Sequence, residues 1–284
     1  MAAVAWVNGR LLAPEEPAIS PLDGGFLYGE GLFETMRAYG GRVFRLARHL
    51  ERLLISAAEL SFAPPTGQAL TRAVGEALDA SDLGDASVRL SVTPGMAGSP
   101  SPTVVVIVRP LALPSADLYE SGCLAVSVAA AQAPGSALRR IKSLNYLDKL
   151  LAQRTASQRG AHEAILVDPD GCVIEGAMRN IFAVFGDELV TPPLSRGFLP
   201  GITRETVLEI ARGSKLSSRE RDVTLTELYA AEECFLTSSI AEILPVRSVD
   251  GNAMRGGAPG AVTAALTAAY RATVARETER QPGR

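Results

Sequence analysis

The chain has 284 residues, of which 47% are apolar and 21% charged, and its formal net charge at pH 7 is −3. This length and apolar content favour a folded protein of two domains and exclude a disordered chain. The slightly acidic balance offers no basic stripe for nucleic acid, and no run approaches the ~18 apolar residues that a membrane span requires.

The first part of the chain predicts strands joined by tight turns, followed by two helices. Asn8-Gly9 stands between short apolar runs, which is typical of a hairpin. Gly40-Gly41 marks a second turn, and apolar residues then recur at helical spacing from Leu46 to Leu60. The predicted elements are strands at 5–7, 10–12, 32–39 and 42–44, helices at 46–60 and 68–80, and strands at 87–93 and 103–108.

A proline-containing stretch from Arg109 to Asp117 predicts a linker, so the domains are expected at 1–115 and 116–284. The second domain predicts strands at 124–129, 164–167, 173–175, 181–185, 188–190, 234–237 and 246–249, and helices at 145–159 (with Leu147, Leu150 and Leu151 on one face), from Thr203, after Thr224 and at 261–276. Strands and helices alternate loosely, with hairpins and no clean βαβ series. The sequence therefore predicts an α+β fold with mixed sheets.

Cysteine and histidine usage limits the possible chemistry. The three cysteines, Cys123, Cys172 and Cys234, are scattered and odd in number, which favours reduced thiols in the cytoplasm over a disulfide framework. Only His49 and His162 are present, so a histidine-rich metal site is nearly excluded. A serine–histidine–aspartate triad would have to use one of these two histidines.

Lysine is rare, and one lysine is a candidate catalyst. Lys149 lies in a polar helical stretch, and Lys215 lies in a segment that reads as a solvated loop. Lys142 lies in the run Arg140–Leu147. A lysine amine condenses with carbonyl groups and acts as a base once its pKa is lowered, so Lys142 is the candidate covalent catalyst.

Two stretches could bind a phosphate. Gly201 precedes a predicted helix and Thr203 offers a hydroxyl near its start, and a helix N-terminus presents unpaired N–H groups. Ser238 and Ser239 follow a strand and could donate to the same phosphate. Taken alone, the first stretch is expected to be an ordinary helix cap and the second a turn-forming run.

Two charged residues stand beside apolar segments. In isolation Arg52 is expected at the surface, but it could also point inward and bind a dianion. Glu175 ends an apolar strand, and a buried carboxylate needs a partner, either an arginine, which is the commoner solution, or a protonated pyridine nitrogen. A lysine amine, a phosphate site, an inward arginine and a buried carboxylate are together the groups that pyridoxal phosphate requires.

Short motifs follow one another along nearly the whole chain. They are Asp23–Thr35 (DGGFLYGEGLFET), His49–Leu53 (HLERL), Lys142–Leu147 (KSLNYL), Glu175–Phe182 (EGAMRNIF), Thr191-Pro192, Leu199–Arg204 (LPGITR) and Pro245-Val246. In this order they are highly specific. The chain resembles the class IV (fold type IV) pyridoxal-phosphate enzymes, which include branched-chain aminotransferases, D-amino-acid aminotransferases and aminodeoxychorismate lyases.

The resemblance implies a homodimer of two-domain α+β chains, with the cofactor between the domains and pocket residues reaching across the dimer interface. It implies that Lys142 is the Schiff-base lysine, that Glu175 pairs with the ring nitrogen and that Asn180 supports this region. The other implied site residues are Arg52, Ile202, Thr203, Ser238 and Ser239 for the phosphate, Leu199 against the ring, and Tyr28 and Phe33 in the substrate pocket.

Within the family, the N-terminal motif is most similar to aminodeoxychorismate lyases, because Thr35 stands where branched-chain aminotransferases usually have glycine. Ser238-Ser239 similarly stands where those aminotransferases tend to have Gly-Thr. The segment 245–251 resembles both groups equally. Pro94 stands where several lyases have arginine, and the Arg-x-His trap of D-amino-acid enzymes is absent from this region.

The leading hypothesis is an aminodeoxychorismate lyase that converts 4-amino-4-deoxychorismate to 4-aminobenzoate and pyruvate, in folate synthesis. Lys142 would remove the proton from the amine-bearing carbon, and Thr35 would donate to the leaving group. Arg37, Arg89 and Arg179 are candidates for binding the substrate carboxylates. The alternative is an aminotransferase for branched-chain or D-amino acids; a non-catalytic protein that binds a phosphate ligand would not need Lys142.

Overall fold

The computed structural model describes residues 3–13, 15–16, 19–99, 101–133, 135–214 and 216–279. The chain divides into two compact units: unit 1 comprises Met1–Ala112, Ile141–Asn145 and Val274–Arg284, and unit 2 comprises Leu113–Arg140 and Tyr146–Thr273. The first division lies close to the expected boundary near residue 115. The segment with Lys142 differs from the expectation, because it belongs to unit 1 and not to the C-terminal part.

Among the described residues, unit 1 contains a six-stranded antiparallel sheet and three helices. Its elements are β1 (Val4–Val7), β2 (Arg10–Leu12), α1 (Gly24–Tyr28), β3 (Leu32–Tyr39), β4 (Arg42–Val43), α2 (Leu46–Glu59), α3 (Gly67–Ser81), β5 (Ala86–Thr93) and β6 (Thr103–Pro110). The strand order is β2-β1-β6-β5-β3-β4. Helices α2 and α3 contribute apolar residues to a core shared with this sheet, including Leu53, Leu70, Val74, Met36, Leu90 and Val106.

The segment Ile141–Asn145 joins unit 1 through its backbone. The N–H of Phe33 donates to the carbonyl oxygen of Lys142 at 2.8 Å, and the N–H of Leu144 donates to that of Gly31 at 2.9 Å. Ile141 is buried in the core of unit 1. These contacts fix Lys142 beside the start of β3.

In its described residues, unit 2 contains a mixed nine-stranded sheet with helices. Its elements are α4 (Ala116–Ser121), β7 (Cys123–Ala129), α5 (Ala137–Arg140), α6 (Leu147–Gln158), β8 (Glu163–Val167), β9 (Val173–Gly176), β10 (Asn180–Phe185), β11 (Glu188–Thr191), α7 (Ile202–Gly213), β12 (Ser217–Glu220), α8 (Leu225–Tyr229), β13 (Glu233–Ser238), β14 (Glu242–Val249), β15 (Asn252–Ala253) and α9 (Ala261–Thr278), the last of which ends in unit 1. The strand order is β12-β11-β10-β13-β14-β7-β8-β9, with β15 paired to β14. The prediction of an α+β fold with mixed sheets is confirmed.

Most of the longer predicted elements are confirmed. Asn8 and Gly9 both have positive φ, as a two-residue hairpin turn requires, and Thr224 forms the predicted capping box with Glu227. The short elements α1, α4, α5, β12 and β15 were not predicted, because they span too few residues to show a period. In α6 the buried positions are Ala152 and Ala156, whereas the predicted face of Leu147, Leu150 and Leu151 is exposed in this chain.

Candidate active site

Glu175 lies in β9, a strand in which every residue is buried. Its carboxylate accepts hydrogen bonds from Nζ of Lys149 at 2.5 Å and from Nδ2 of Asn180 at 3.3 Å. A buried carboxylate requires such donors, because removal from water destabilises its charge. The structure thus brings Asn180 to Glu175, and it adds a lysine that the sequence did not suggest.

Lys149 is a largely buried cation, and the sequence pattern had assigned it to a polar helical stretch. Its side chain is 12% exposed. Burial disfavours its ammonium, but the carboxylate of Glu175 outweighs this effect, and the pKa of Lys149 is raised. Nζ lies 5.9 Å from the ring centroid of Tyr146, and burial raises the pKa of that tyrosine. Lys149 therefore stays charged at neutral pH.

A second carboxylate–cation pair lies within electrostatic range of the first. Glu163 is buried in β8, forms an ion pair with Arg179 and accepts the N–H of Met178 at 2.7 Å. Burial raises the pKa of Glu163, even though Arg179 and Lys149 act against this rise. Arg179 thus neutralises Glu163, and its role as a ligand of a substrate carboxylate stays a prediction.

Helix α7 begins in close contact with Asn180. Gly201 is its N-cap and has no side chain to satisfy the first N–H groups. A Cβ atom at Gly201 would lie 1.9 Å from Oδ1 of Asn180, so this approach requires glycine. Nδ2 of Asn180 also donates to the carbonyl oxygen of Leu199 at 3.0 Å. The cap of α7 is therefore Gly201, not Thr203, and Asn180 links the start of this helix to Glu175.

The end of β13 presents hydroxyl groups on the same sheet. Thr237 pairs in register with Asn180, so the two side chains share one face. Thr237 is buried, and its hydroxyl has no hydrogen-bond partner among the described residues. Ser238, which is half-buried, accepts the N–H of Ala241 at 3.2 Å through its Oγ. A buried hydroxyl without a partner is costly and is typical of a position that a ligand completes.

In unit 1, Lys142 lies against Phe33. Its Nζ is 4.5 Å from the centroid of the Phe33 ring, and the guanidinium carbon of Arg89 is 3.8 Å from the same centroid. Thr35 pairs in register with Arg89, and side chains alternate along β3, so Phe33, Thr35 and Arg89 share one face of the sheet. The structure thus brings four of the residues expected at the site onto one side of unit 1.

The opposite face of β3 holds a buried charged network. Nε and Nη2 of Arg52 donate to the two oxygens of Glu34 at 2.8 and 2.5 Å, and Nδ1 of His49 lies 2.7 Å from Glu34. Burial alone would raise the pKa of Glu34, but Arg52 and His49 lower it to about 2. Burial lowers the pKa of His49, against the pull of Glu34. Arg52 is 9% exposed, so the surface interpretation of this arginine is wrong.

Three further residues of the sequence analysis are Tyr28, Lys215 and Arg37, the last of which lies on the same face of β3 as Phe33 and Thr35. Tyr28 is 74% exposed at the end of α1, so its own chain does not enclose it in a pocket. The guanidinium carbon of Arg37 lies 4.4 Å from the ring centroid of Tyr39. Lys215 lies outside the described residues.

Sequence reasoning missed three residues near Glu175, namely Tyr146, Lys149 and Glu163. One signal was available: Glu163 begins an apolar strand, as Glu175 ends one, and a charged residue at such a position needs a partner. No comparable signal marks Lys149, because its partner lies 26 positions along the chain.

In the described part of the chain no group of three or more histidine, cysteine, aspartate or glutamate residues could hold a metal ion. No described helix is long and apolar enough to cross a membrane. The three cysteines are free and buried.

Comparison with known proteins identifies relatives over the full length. The family model described as amino-transferase class IV matches residues 31–249. A Methanocaldococcus jannaschii protein with the provisional name branched-chain-amino-acid aminotransferase is 37% identical over 270 residues, which are 92% of this chain and 93% of the relative. The aminodeoxychorismate lyase of Bacillus subtilis is 31% identical over 289 residues, covering 98% and 97%. The crystal structure of the branched-chain aminotransferase of Escherichia coli aligns with a TM-score of 0.91 at 31% identity, covering 100% of this chain and 98% of the other.

Proposed function

The chain belongs to the class IV aminotransferase family, and on this premise we propose that it is a lyase that converts 4-amino-4-deoxychorismate to 4-aminobenzoate and pyruvate. Enzymes of this family use pyridoxal 5′-phosphate, so the chain is a pyridoxal-phosphate enzyme. When bound, this cofactor withdraws electrons from the carbon that bears the substrate amine. The protein must hold the cofactor, move protons at that carbon and retain the substrate.

The residues of unit 2 fit the cofactor. The start of α7 has no side-chain cap, because its N-cap is Gly201, and the lack of a Cβ there allows Asn180 to approach closely. A helix N-terminus of this kind suits a phosphate. The hydroxyl of Thr237, which has no hydrogen-bond partner in the described part of the chain, lies on the same sheet face as Asn180. We assign the phosphate to the N–H and hydroxyl groups of Ile202, Thr203, Ser238 and Ser239. A role of Arg52 at the phosphate stays a prediction from the resemblance, because its guanidinium is paired with Glu34. Leu199 would pack on the ring, and Glu175, supported by Asn180, would accept a hydrogen bond from the protonated ring nitrogen.

The observation that carries the lyase assignment is that Thr35 shares a sheet face with Phe33, whose ring contacts the amine of Lys142. Lys142 would take the proton from the amine-bearing carbon. The hydroxyl of Thr35 would donate a proton to the ether oxygen of the enolpyruvyl group as the bond from this oxygen to the neighbouring ring carbon breaks. The ring becomes aromatic, and the released enol rearranges to pyruvate. The amine of Lys142 has then gained one proton and Thr35 has lost one, and return of the proton restores both groups. Arg89 would attract a substrate carboxylate.

The lyase assignment is tested by supplying 4-amino-4-deoxychorismate and measuring 4-aminobenzoate and pyruvate in equal amounts. Replacing Thr35→Gly should lower this turnover by about 10²–10⁴, which is the usual contribution of a positioned proton donor, while Thr35→Ser keeps most of it. Release of no 4-aminobenzoate by the wild-type protein would refute the proposal, and so would equal turnover by Thr35→Gly and Thr35→Ser.

The second candidate is an amino-acid aminotransferase, which the 37% identical relative favours. Lys142 would then take and return the proton at the amine-bearing carbon, and a 2-oxo acid would accept the amino group. In parallel reactions with D-alanine and L-leucine, conversion of the cofactor to its pyridoxamine form identifies this activity. Turnover in these reactions alone would establish the aminotransferase in place of the lyase.

The covalent role of Lys142 has a separate test. Borohydride reduction of the holoenzyme should fix the cofactor on the peptide that contains Lys142, as mass spectrometry would show. Lys142→Ala should lose the visible absorbance of the linked cofactor while keeping the fold. Fixation on Lys149, the second lysine with a described environment, would contradict this assignment.

We further propose that the protein is a homodimer in the cytoplasm. Each unit exposes large apolar side chains, such as Phe26 and Tyr28 in unit 1 and Leu147 in unit 2, and such groups are typical of a protein interface. Three free cysteines are in keeping with a reducing compartment. Light scattering should give twice the chain mass, and Phe26→Glu should shift it towards the mass of one chain.

A further inference from the structure

The ion pair of Lys149 and Glu175 has a consequence for the cofactor ring. Nζ of Lys149 holds one oxygen of Glu175 at 2.5 Å, while Asn180 holds the other at the longer distance of 3.3 Å. The side chains of Lys149 and Glu175 are 12% and 6% exposed. Solvent therefore screens this pair weakly, and its charges act strongly on any third group that is placed beside them.

Two carboxylate–cation pairs lie at this place in unit 2, Lys149 with Glu175 and Arg179 with Glu163. Asp148 also acts on Lys149 and raises its pKa, as Glu175 does. A protonated ring nitrogen at Glu175 would add a second positive charge beside the ammonium of Lys149. Like charges disfavour each other at short range, so the added proton is held less firmly than it would be at an unpaired carboxylate.

We propose that Lys149 is a positioning residue that sets the proton affinity of the cofactor ring nitrogen, by holding one oxygen of Glu175 and making the ring share this carboxylate with a second cation. The inference rests on the proposed contact of Glu175 with the ring nitrogen. A carboxylate has about four acceptor positions, so Glu175 can accept a hydrogen bond from the ring N–H while it keeps the hydrogen bonds from Lys149 and Asn180. Before the cofactor binds, the same ammonium stabilises Glu175 inside the fold.

This arrangement suits a reaction that needs only a moderate withdrawal of electrons. A ring nitrogen that is protonated for part of the time withdraws fewer electrons than a permanent pyridinium. In the proposed lyase reaction the product becomes aromatic, and this gain supplies driving force that the cofactor need not provide. Lys149 would thus match the cofactor to the elimination.

The test is a titration of the ring nitrogen in the holoenzyme reconstituted with ¹⁵N-labelled pyridoxal 5′-phosphate, followed by ¹⁵N NMR from pH 6 to pH 10. Lys149→Gln removes the charge but keeps a donor for Glu175. We expect it to raise the pKa of the ring nitrogen by about one unit or more. Lys149→Arg keeps the charge and should titrate like the wild type. Arg154→Gln is the matched control, because it makes the same kind of change on the exposed side of the same helix, and it should also titrate like the wild type.

A second readout is the rise in melting temperature when the cofactor is added. In Lys149→Gln the ring becomes the main counter-ion of Glu175, so this rise should be larger than in the wild type and in Arg154→Gln. Lys149→Ser, which admits water to Glu175, provides a second neutral variant if Lys149→Gln does not fold.

Two results would overturn the inference. In the first, the neutral variants titrate like the wild type. In the second, the ring nitrogen stays protonated from pH 6 to pH 10 in the wild type as well as in the neutral variants. Glu175→Gln separates this failure from failure of the proposed function. If Glu175→Gln lowers the pKa of the ring nitrogen but the Lys149 variants leave it unchanged, only the role of Lys149 is lost. If Glu175→Gln has no effect, the assignment of Glu175 itself fails.

Discussion

Gly201→Ala adds a single methyl group where the candidate site has no room for it. The backbone of Gly201 has φ −74° and ψ 135°, which any residue can adopt, so the change causes no backbone strain. The added Cβ would lie 1.9 Å from Oδ1 and 3.1 Å from Cγ of Asn180, whereas ordinary contact begins at 3.4 Å. The amide of Asn180 must therefore move by about 1.5 Å, the difference between 3.4 and 1.9 Å.

This displacement breaks the two hydrogen bonds that Asn180 donates. They reach the carbonyl oxygen of Leu199 at 3.0 Å and the carboxylate of Glu175 at 3.3 Å. Loss of a hydrogen bond that leaves a buried partner unsatisfied costs about 1–3 kcal/mol. The two losses together should lower the free energy of unfolding by about 2–4 kcal/mol and the melting temperature by roughly 5–10 °C. The dissociation constant of a cofactor that depends on Glu175 should rise by a factor of about ten or more.

Thermal unfolding of the cofactor-free protein measures the first effect, and titration with pyridoxal 5′-phosphate measures the second. Gly213→Ala, at the other end of α7, is the matched control: its Cβ would meet nothing within 4 Å. It should change stability by less than about 1 kcal/mol, in the stabilising direction. In an Asn180→Ala background the clash is removed, so Gly201→Ala should then cost less than about 0.5 kcal/mol.

Two results would refute this reasoning. The first is a Gly201→Ala protein that is as stable as the wild type. The contact between the added Cβ and Oδ1 of Asn180 would then be relieved without loss of the Asn180 hydrogen bonds. The second is an equal loss of stability with and without the side chain of Asn180, because the damage would then arise elsewhere.

Three further changes test the buried charges. The pKa of Glu34 is lowered to about 2, and that of His49 is also lowered. In the pH ranges below about 6.5 for His49 and from about 4.5 towards 2 for Glu34, the unfolded chain binds more protons, so the free energy of unfolding should decrease as the pH falls. In urea unfolding at a series of pH values, Glu34→Gln should lose the decrease between about pH 4.5 and 2, and an unchanged pH profile would contradict this. Arg179→Met leaves Glu163 buried without its cation and should cost about 3–5 kcal/mol in thermal unfolding, whereas a loss below 1 kcal/mol would show that the pair contributes little. The carboxylate of Glu233 accepts two N–H groups at the start of α9, so Glu233→Ala should cost about 1–2 kcal/mol; calorimetry without such a loss would exclude this cap.

The sequence allowed much of the fold to be predicted because the deciding signals are local. Alternating apolar residues in β3 and β5, helical spacing in α2 and the Asn8-Gly9 turn each occupy one continuous stretch of chain. The same is true of the motifs around Lys142 and Glu175, whose order and spacing indicated the family and its cofactor. Short elements such as α5 and β15 escaped prediction, because their positions depend on the neighbours against which they pack.

The sequence by itself determined the α+β class, the family with its cofactor, and Lys142 as the candidate catalyst. Only the tertiary structure decided which charges meet: Arg52 turns inward to Glu34, and Lys149 reaches Glu175. The physical reason is that a period along the chain fixes the side of an element on which a residue lies, but not which element packs against that side. Arg52 and Glu34 are 18 positions apart, and Lys149 and Glu175 are 26 positions apart. The packing of a helix on a strand brings each pair together, and a buried charge requires such a partner.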